Sequence, residues 1–348
     1  MLIAAKGVDV PTEVANLNSE WSARLQDSVR AAVRAEQDFR WFNVGDSIAT
    51  GEWGIASTDQ HYAAVAARAL GDRLGVPAER HVHTAGDDFS DGAVDASGAL
   101  GPVPGDFFGS AGWLLRPGER LRYVPGSAAV RYTVSASGPV SFSLDEGRSW
   151  SVLETSRSEF PSQTGSHSLV LAAAGAEARI GHLEYASSTA AITWYTSGIG
   201  GSRVADLHEN LSADGGRGYA AYGASDPDLL SIEIGVNNTI HADEVTLERS
   251  VADLRAVLGS FRDAGVRNIV LIGANPVRSD FQPGPWGQRE AFAVMYQPVA
   301  REFGVPVIDV GGRWGGYRAA HSRGFLVDQV HPTALGHHDI AEVIMDLF

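Results

Sequence analysis

Ser47, Asp328 and His331 are the residues whose types and spacing could do chemistry. A serine hydroxyl becomes a useful nucleophile only with a base beside it. Asp328 and His331 stand three residues apart in Asp328-Gln329-Val330-His331-Pro332, just ahead of a helical stretch. From one loop, the carboxylate can then orient the imidazole through Nδ1–H while the other ring nitrogen faces a serine hydroxyl. His331 would take the proton as base and return it to a leaving group. Pro332 would help start the final helix. Acyl transfer also needs donors aimed at the negative charge that develops. The candidates are the Ser47 amide, the Gly201 amide and the Asn237 side chain, with Gly200 as an alternative register for Gly201. Gly235 would leave the approach to Asn237 unobstructed.

Ser47 and His331 are far apart in the chain, so the fold must bring them together. Ser47 lies in Trp41-Phe42-Asn43-Val44-Gly45-Asp46-Ser47-Ile48-Ala49-Thr50-Gly51, where an apolar run is cut off by Gly-Asp-Ser. That is the layout of a buried strand whose C-terminal end presents a side chain at the mouth of a sheet. Further strands are expected at 190–195, 229–234, 268–272 and 305–310, with a short one at 80–84. Helices are expected at 59–74, 204–211, 244–264, 288–303 and from about Pro332 to Leu347. Near-continuous apolar strands alternating with helices imply a mostly parallel sheet covered on both faces. Ligands bind such sheets beyond the carboxyl ends of the strands. Ser47, Gly201 and the Gly235–Asn237 turn all fall at such ends.

Two stretches break this pattern. Residues 86–106 are rich in Gly, Asp, Ser and Pro and read as loop. From about 112 to 185, short alternating runs split by turn residues argue for a small antiparallel β unit, such as a sandwich or barrel. Ahead of the first core strand, Trp21, Leu25, Val29 and Val33 recur at intervals of four, an amphipathic helix over about 18–37. Its apolar stripe is expected to pack on the catalytic body, with an oligomerisation arm as the other option. Residues 1–17 read as an extended or poorly ordered leader. The division is therefore 1–37 leader and amphipathic helix, 38–106 first part of the catalytic domain, 107–186 inserted β domain and 187–348 second part of the catalytic domain.

These blocks resemble the SGNH hydrolases, also called GDSL esterases or lipases. Gly45-Asp46-Ser47 with Gly51 looks like the family's first block, Gly201 like the second, Gly235-x-Asn237 like the third and Asp328-x-x-His331 like the fifth, in the family's order. The sequence departs from the pattern at Ser197 and Gly198, where the family commonly has Asn or Asp, and at Asn238, where it commonly has Asp. The resemblance implies a flavodoxin-like three-layer α/β/α fold, here with an inserted sandwich-like β domain. It implies Ser47 as nucleophile, His331 as base, Asp328 as its orienting acid, and Ser47, Gly201 and Asn237 around the oxyanion. It also implies no cofactor and hydrolysis of esters, often O-acetyl groups on sugars, through an acyl-serine intermediate.

Composition narrows the alternatives. The formal net charge of −15 disfavours nucleic acid and anionic membrane surfaces as partners, and no Lys/Arg run offsets it. The absence of cysteine excludes disulfides and thiolate chemistry. No apolar run has transmembrane length, and no signal peptide is visible; the expected location is cytoplasmic, or outside the cell as part of a particle such as a phage virion. His81 with His83 and His337 with His338 lack further ligands at metal-binding spacing, so no metal is expected. The expected partner is an acylated carbohydrate or another small ester. Trp286 and Trp314, in Pro/Gly-rich segments, and Trp150 in the insert are the candidate substrate contacts, with Trp113, Tyr123, Tyr132 and Tyr185 as the insert's other aromatics. The rival expectation is a glycan-binding or structural component of a larger particle, with a retained or degenerate esterase domain.

Overall fold

The computed structural model describes residues 14–34, 38–51, 53–56, 58–79, 82–83, 92–95, 100–104, 111–125, 131–153, 157–161, 168–186, 191–212, 219–281 and 284–348. It is a mixed α/β fold with an inserted β-sheet region.

Five parallel strands form the heart of the larger, seven-stranded sheet, in the spatial order Ile192–Gly198, Phe39–Gly45, Leu229–Glu233, Ile269–Ile272, Val307–Ile308. The chain starts in the middle, steps to one side and then works outward on the other. The strand order reverses at Phe39–Gly45, and a crevice opens at the carboxyl ends of the strands around such a point. Ser47 and Asn237 follow the two strands that flank it. Every residue of Leu229–Glu233 and of Ile269–Ile272 is buried, as strands covered on both faces require. Of the strand expected at 80–84, Val82 and His83 are the described residues. Ala78–Glu79 joins the parallel sheet beside Ile192, whereas Val82–His83 pairs antiparallel with the insert strand Ala178–Ala186.

The N-terminal segment is tied to this body. Val14–Ala15 adds an antiparallel edge strand beside Val307–Ile308, and residues 1–13 lie outside those described. The helix Ser19–Val33 begins where the Asn18 side chain accepts the Trp21 N–H at 2.8 Å. Trp21 and Leu25 are fully buried, and the Trp21 indole N–H donates to the Ile269 carbonyl at 3.1 Å. Of the stripe, Trp21, Leu25 and the partly buried Val29 pack on the core, while Val33 is 45% exposed.

The insert forms two antiparallel sheets around a core of its own, which includes Trp113, Leu121, Tyr123, Tyr132 and Leu171. It extends further towards the N-terminus than the sequence pattern indicates. Gly92–Asp95 pairs with Arg120–Pro125, and Leu100–Pro104 with Ala111–Leu115, so parts of the stretch read as loop at 86–106 are strands. Gly, Pro and Asp depress strand propensity, but each of these segments borrows its order from a stronger partner strand.

Candidate active site

The first core strand ends in a sharp turn. Asp46 caps a single helical turn, Ser47–Thr50, by accepting the Ile48 N–H at 3.0 Å. Glycines wedge this elbow between its neighbours. A Cβ on Gly45 would lie 1.6 Å from the Glu233 carbonyl oxygen, and one on Gly198 would lie 2.2 Å from that of Asp46. The Asp46 N–H also donates to the Glu233 carbonyl at 3.2 Å. Ser47 is thereby fixed at the mouth of the sheet, 6% exposed.

The chain's far end meets it there. Ser47 Oγ lies 3.1 Å from His331 Nε2, and His331 Nδ1 lies 2.8 Å from Asp328 Oδ2. Asp328 Oδ1 accepts the backbone N–H groups of Val330 at 2.8 Å and His331 at 2.7 Å, which closes the loop around the carboxylate. Neighbouring elements hold that loop from behind. Asn275 donates to the Val330 carbonyl at 2.7 Å, and the Tyr317 hydroxyl donates to the Asp328 carbonyl at 3.2 Å. Burial pushes the Asp328 carboxyl up. Hydrogen bonds from the His331 ring and from the His331 and Val330 backbone outweigh that, leaving it below its ordinary value and ionised.

The oxyanion candidates lie around the same turn. Asn237 is buried, and its amide donates to the Ser202 carbonyl at 3.0 Å and to Asp46 Oδ2 at 3.3 Å. Asn237 is therefore oriented by the loop that carries Gly201 and by the residue before Ser47. Gly201 has φ +77°, which favours glycine. Asn238 fastens the two loops together. Its Oδ1 accepts the Val204 N–H at 2.9 Å, at the start of the helix Val204–Ser212, and its amide donates to Ser250 Oγ at 2.9 Å. Asn thus serves as an anchor where the resembled family commonly carries Asp.

Behind the elbow is a pair the sequence reading did not single out. Asp46 and Glu233 are both buried, close enough for each to shift the other's titration. Burial pushes Asp46 up to about 6, against lowering hydrogen bonds from Ile48, Glu233 and Asn237. Burial first, and then the Asp46 charge, push Glu233 well above the carboxylate range. Of the two, Glu233 is the one held in the neutral, protonated form. The available signal was a lone acid closing the otherwise neutral strand Leu229-Leu230-Ser231-Ile232-Glu233.

The candidate substrate aromatics are dispersed. Trp314 is fully buried against Phe325 and donates to Asp339 at 2.7 Å. The expectation of a substrate contact at Trp314 is corrected: the ring has no free face. Trp286 is nearly buried and donates to the Val245 carbonyl at 3.2 Å. Trp150 is half-exposed on its hairpin, with the Arg120 guanidinium 5.2 Å from the ring centre. Trp113, Tyr123 and Tyr132 fill the insert's core, and the side chain of Tyr185 lies outside what is described. An aromatic that does stand beside the His331 imidazole is Trp53, with ring centres 6.3 Å apart. No group of metal-ligating side chains occurs among the described residues, and His337 is buried among His61 and Tyr62 rather than turned outward.

Residues 172–338 match the model of the GDSL-like lipase/acylhydrolase family. The match begins inside the insert and includes Gly201, Asn237, Asp328 and His331, whereas Ser47 precedes it. A solved peptidoglycan O-acetylesterase superposes with a TM-score of 0.68 over 96% of this chain and 97% of its own, at 17% identity. The chain has an SGNH/GDSL-type esterase fold. The insert is an additional β-rich region within that SGNH/GDSL-type fold. Two further solved structures are more distant. A two-domain esterase active on acetylated mannans has a TM-score of 0.45 at 12% identity, over 93% of this chain and 52% of its own. An α/β hydrolase from the metagenome of Lake Arreo, Spain, has a TM-score of 0.44 at 14% identity, over 89% of this chain and 95% of its own. No curated protein matches the chain. Among the described residues, no helix is long and apolar enough to cross a membrane.

Proposed function

We propose that this SGNH/GDSL-type protein is a serine esterase that removes small acyl groups, acetyl above all, from a carbohydrate or glycoconjugate. The observation that carries the reading is the unbroken chain of contacts from Ser47 Oγ to His331 Nε2 and from His331 Nδ1 to Asp328. His331 Nε2 takes the Ser47 proton as Oγ bonds to the ester carbonyl carbon. The carbonyl oxygen becomes an oxyanion, held by the Ser47 and Gly201 amides and by the Asn237 N–H that turns to it from its long 3.3 Å bond to Asp46 Oδ2. Collapse breaks the bond to the sugar oxygen, which leaves with the proton from His331. Water then repeats the sequence on the acyl-serine, releasing the acid and restoring Ser47. Asp328 stays ionised throughout and stabilises the imidazolium that forms at each transfer. The strand order around Phe39–Gly45 supports a flavodoxin-like arrangement of the catalytic unit, with its crevice at Ser47.

The choice of sugar ester over lipid ester is supported by the likeness to the peptidoglycan O-acetylesterase, which extends over nearly the whole of both chains. Acetate release from O-acetylated peptidoglycan fragments and from acetylated xylan tests the reading, with ethyl acetate as a non-sugar ester. Ser47→Ala should lower turnover by at least about a thousandfold. Equal turnover by the variant and the wild type would refute it.

A further inference from the structure

Trp53 carries three features that protein stability does not explain. It is the most exposed large apolar side chain among the described residues, at 77%. Its backbone lies at φ +67°, a conformation that costs a bulky residue free energy. Its ring stands beside the proposed catalytic base, with 6.3 Å between ring centres and 40° between planes. An indole left in water gains no burial, and the strained backbone adds a cost.

The next residue fixes it there. A Cβ on Gly54 would lie 1.6 Å from the Pro332 carbonyl oxygen, so the backbone of the Trp53 turn rests directly on that of the histidine loop. On the other side, Gly51 ends the Ser47 helical turn at φ +78°. The indole is thus carried on a short bridge between the nucleophile's turn and the base's loop. A large flat apolar face at that place would meet whatever leaving group is attached to the ester.

We infer that Trp53 is the platform on which the sugar ring of the substrate lies while its ester reaches Ser47. A pyranose presents a face of C–H groups, and an exposed indole offers a complementary apolar surface with a polar edge. This assignment rests on the esterase reading above and adds the residue that selects sugar alcohols over simple alcohols as leaving groups. Trp53 contacts the non-reacting part of the substrate, so its effect falls on glycan esters more than on ethyl acetate.

The test compares kcat/KM for ethyl acetate with that for whichever acetylated glycan the wild type turns over best. Trp53→Gly removes the indole while tolerating φ +67°. Trp53→Phe keeps an aromatic face. The glycan-to-ethyl-acetate ratio should fall about tenfold in W53G, mainly through KM, and recover largely in W53F. A ratio unmoved in W53G, whether both activities fall together or neither falls, overturns the platform and leaves the esterase intact. Wild-type turnover of ethyl acetate without any glycan ester overturns it as well. A wild type inactive on every ester removes the esterase reading instead. Calorimetric binding of the same acetylated glycans to Ser47→Ala, with and without W53G, then decides the platform: lost binding supports it, and unchanged or absent binding overturns it.

Discussion

At the scale of single residues, Asp328 holds the backbone of its own loop with one oxygen and faces the imidazole with the other. Asp328→Asn can keep the first function but lacks the negative charge opposite Nδ1, which favours the wrong tautomer. We expect kcat to fall roughly a hundred- to ten-thousandfold with little change in Tm, read by acetate release and thermal unfolding. Because Asp328 is held below its ordinary 3.8, its contribution to stability is complete above that value and is lost as pH falls through its folded-state value. The Asp46–Glu233 pair has the opposite sign. Both carboxyls are raised, so the folded state binds protons more tightly than the unfolded chain, and their contribution declines as pH rises through about 6, where Asp46 titrates. Glu233→Gln keeps the shape of the side chain and removes one titrating group. Its Tm relative to wild type should therefore be higher at pH 8 than at pH 5. A difference independent of pH would contradict the raised titration of Glu233.

At the scale of elements, the turn after Leu229–Glu233 shows how a helix far along the chain sets a site residue. Gly235 has φ +114°, and a Cβ there would lie 2.1 Å from the Tyr296 hydroxyl oxygen. That hydroxyl donates to the Ile234 carbonyl and accepts the Ala274 N–H. Tyr296 ends a π-helical stretch, Ala291–Tyr296, in a helical run that continues through Pro298. Gly235→Ala would combine the strained φ with the clash and should cost about 1–3 kcal/mol of stability by chemical denaturation. Activity should fall further than stability alone accounts for, since Asn237 moves with the turn. The Gly-x-Asn spacing was legible in the sequence. Tyr296 was not, because nothing local marks a tyrosine in an amphipathic helix as the support of a turn some sixty residues earlier. The strands at Gly92–Asp95 and Leu100–Pro104 were missed for a related reason: their order comes from partner strands, and their own composition argues against it.

At the scale of the whole molecule, the N-terminal helix is a strap across the α/β body rather than a free arm. Trp21→Ala would leave a cavity beside Ile269 and an unmet carbonyl there, and should cost about 3–5 kcal/mol by chemical denaturation. Retained stability would mean the helix is loosely attached. The sequence by itself determined the alternation of strands and helices, the β-rich interruption, and the blocks around Ser47, Gly201, Asn237 and His331. Hydrophobic period and turn chemistry are local properties, written in runs of neighbouring residues. What only the tertiary structure decided is who faces whom. It brings Ser47 Oγ within 3.1 Å of His331 Nε2, buries Trp314 while leaving Trp53 in solvent, and presses Glu233 against Asp46. Burial, shared protons and ring-to-ring approach depend on segments separated by hundreds of residues, and a linear pattern carries no measure of those distances.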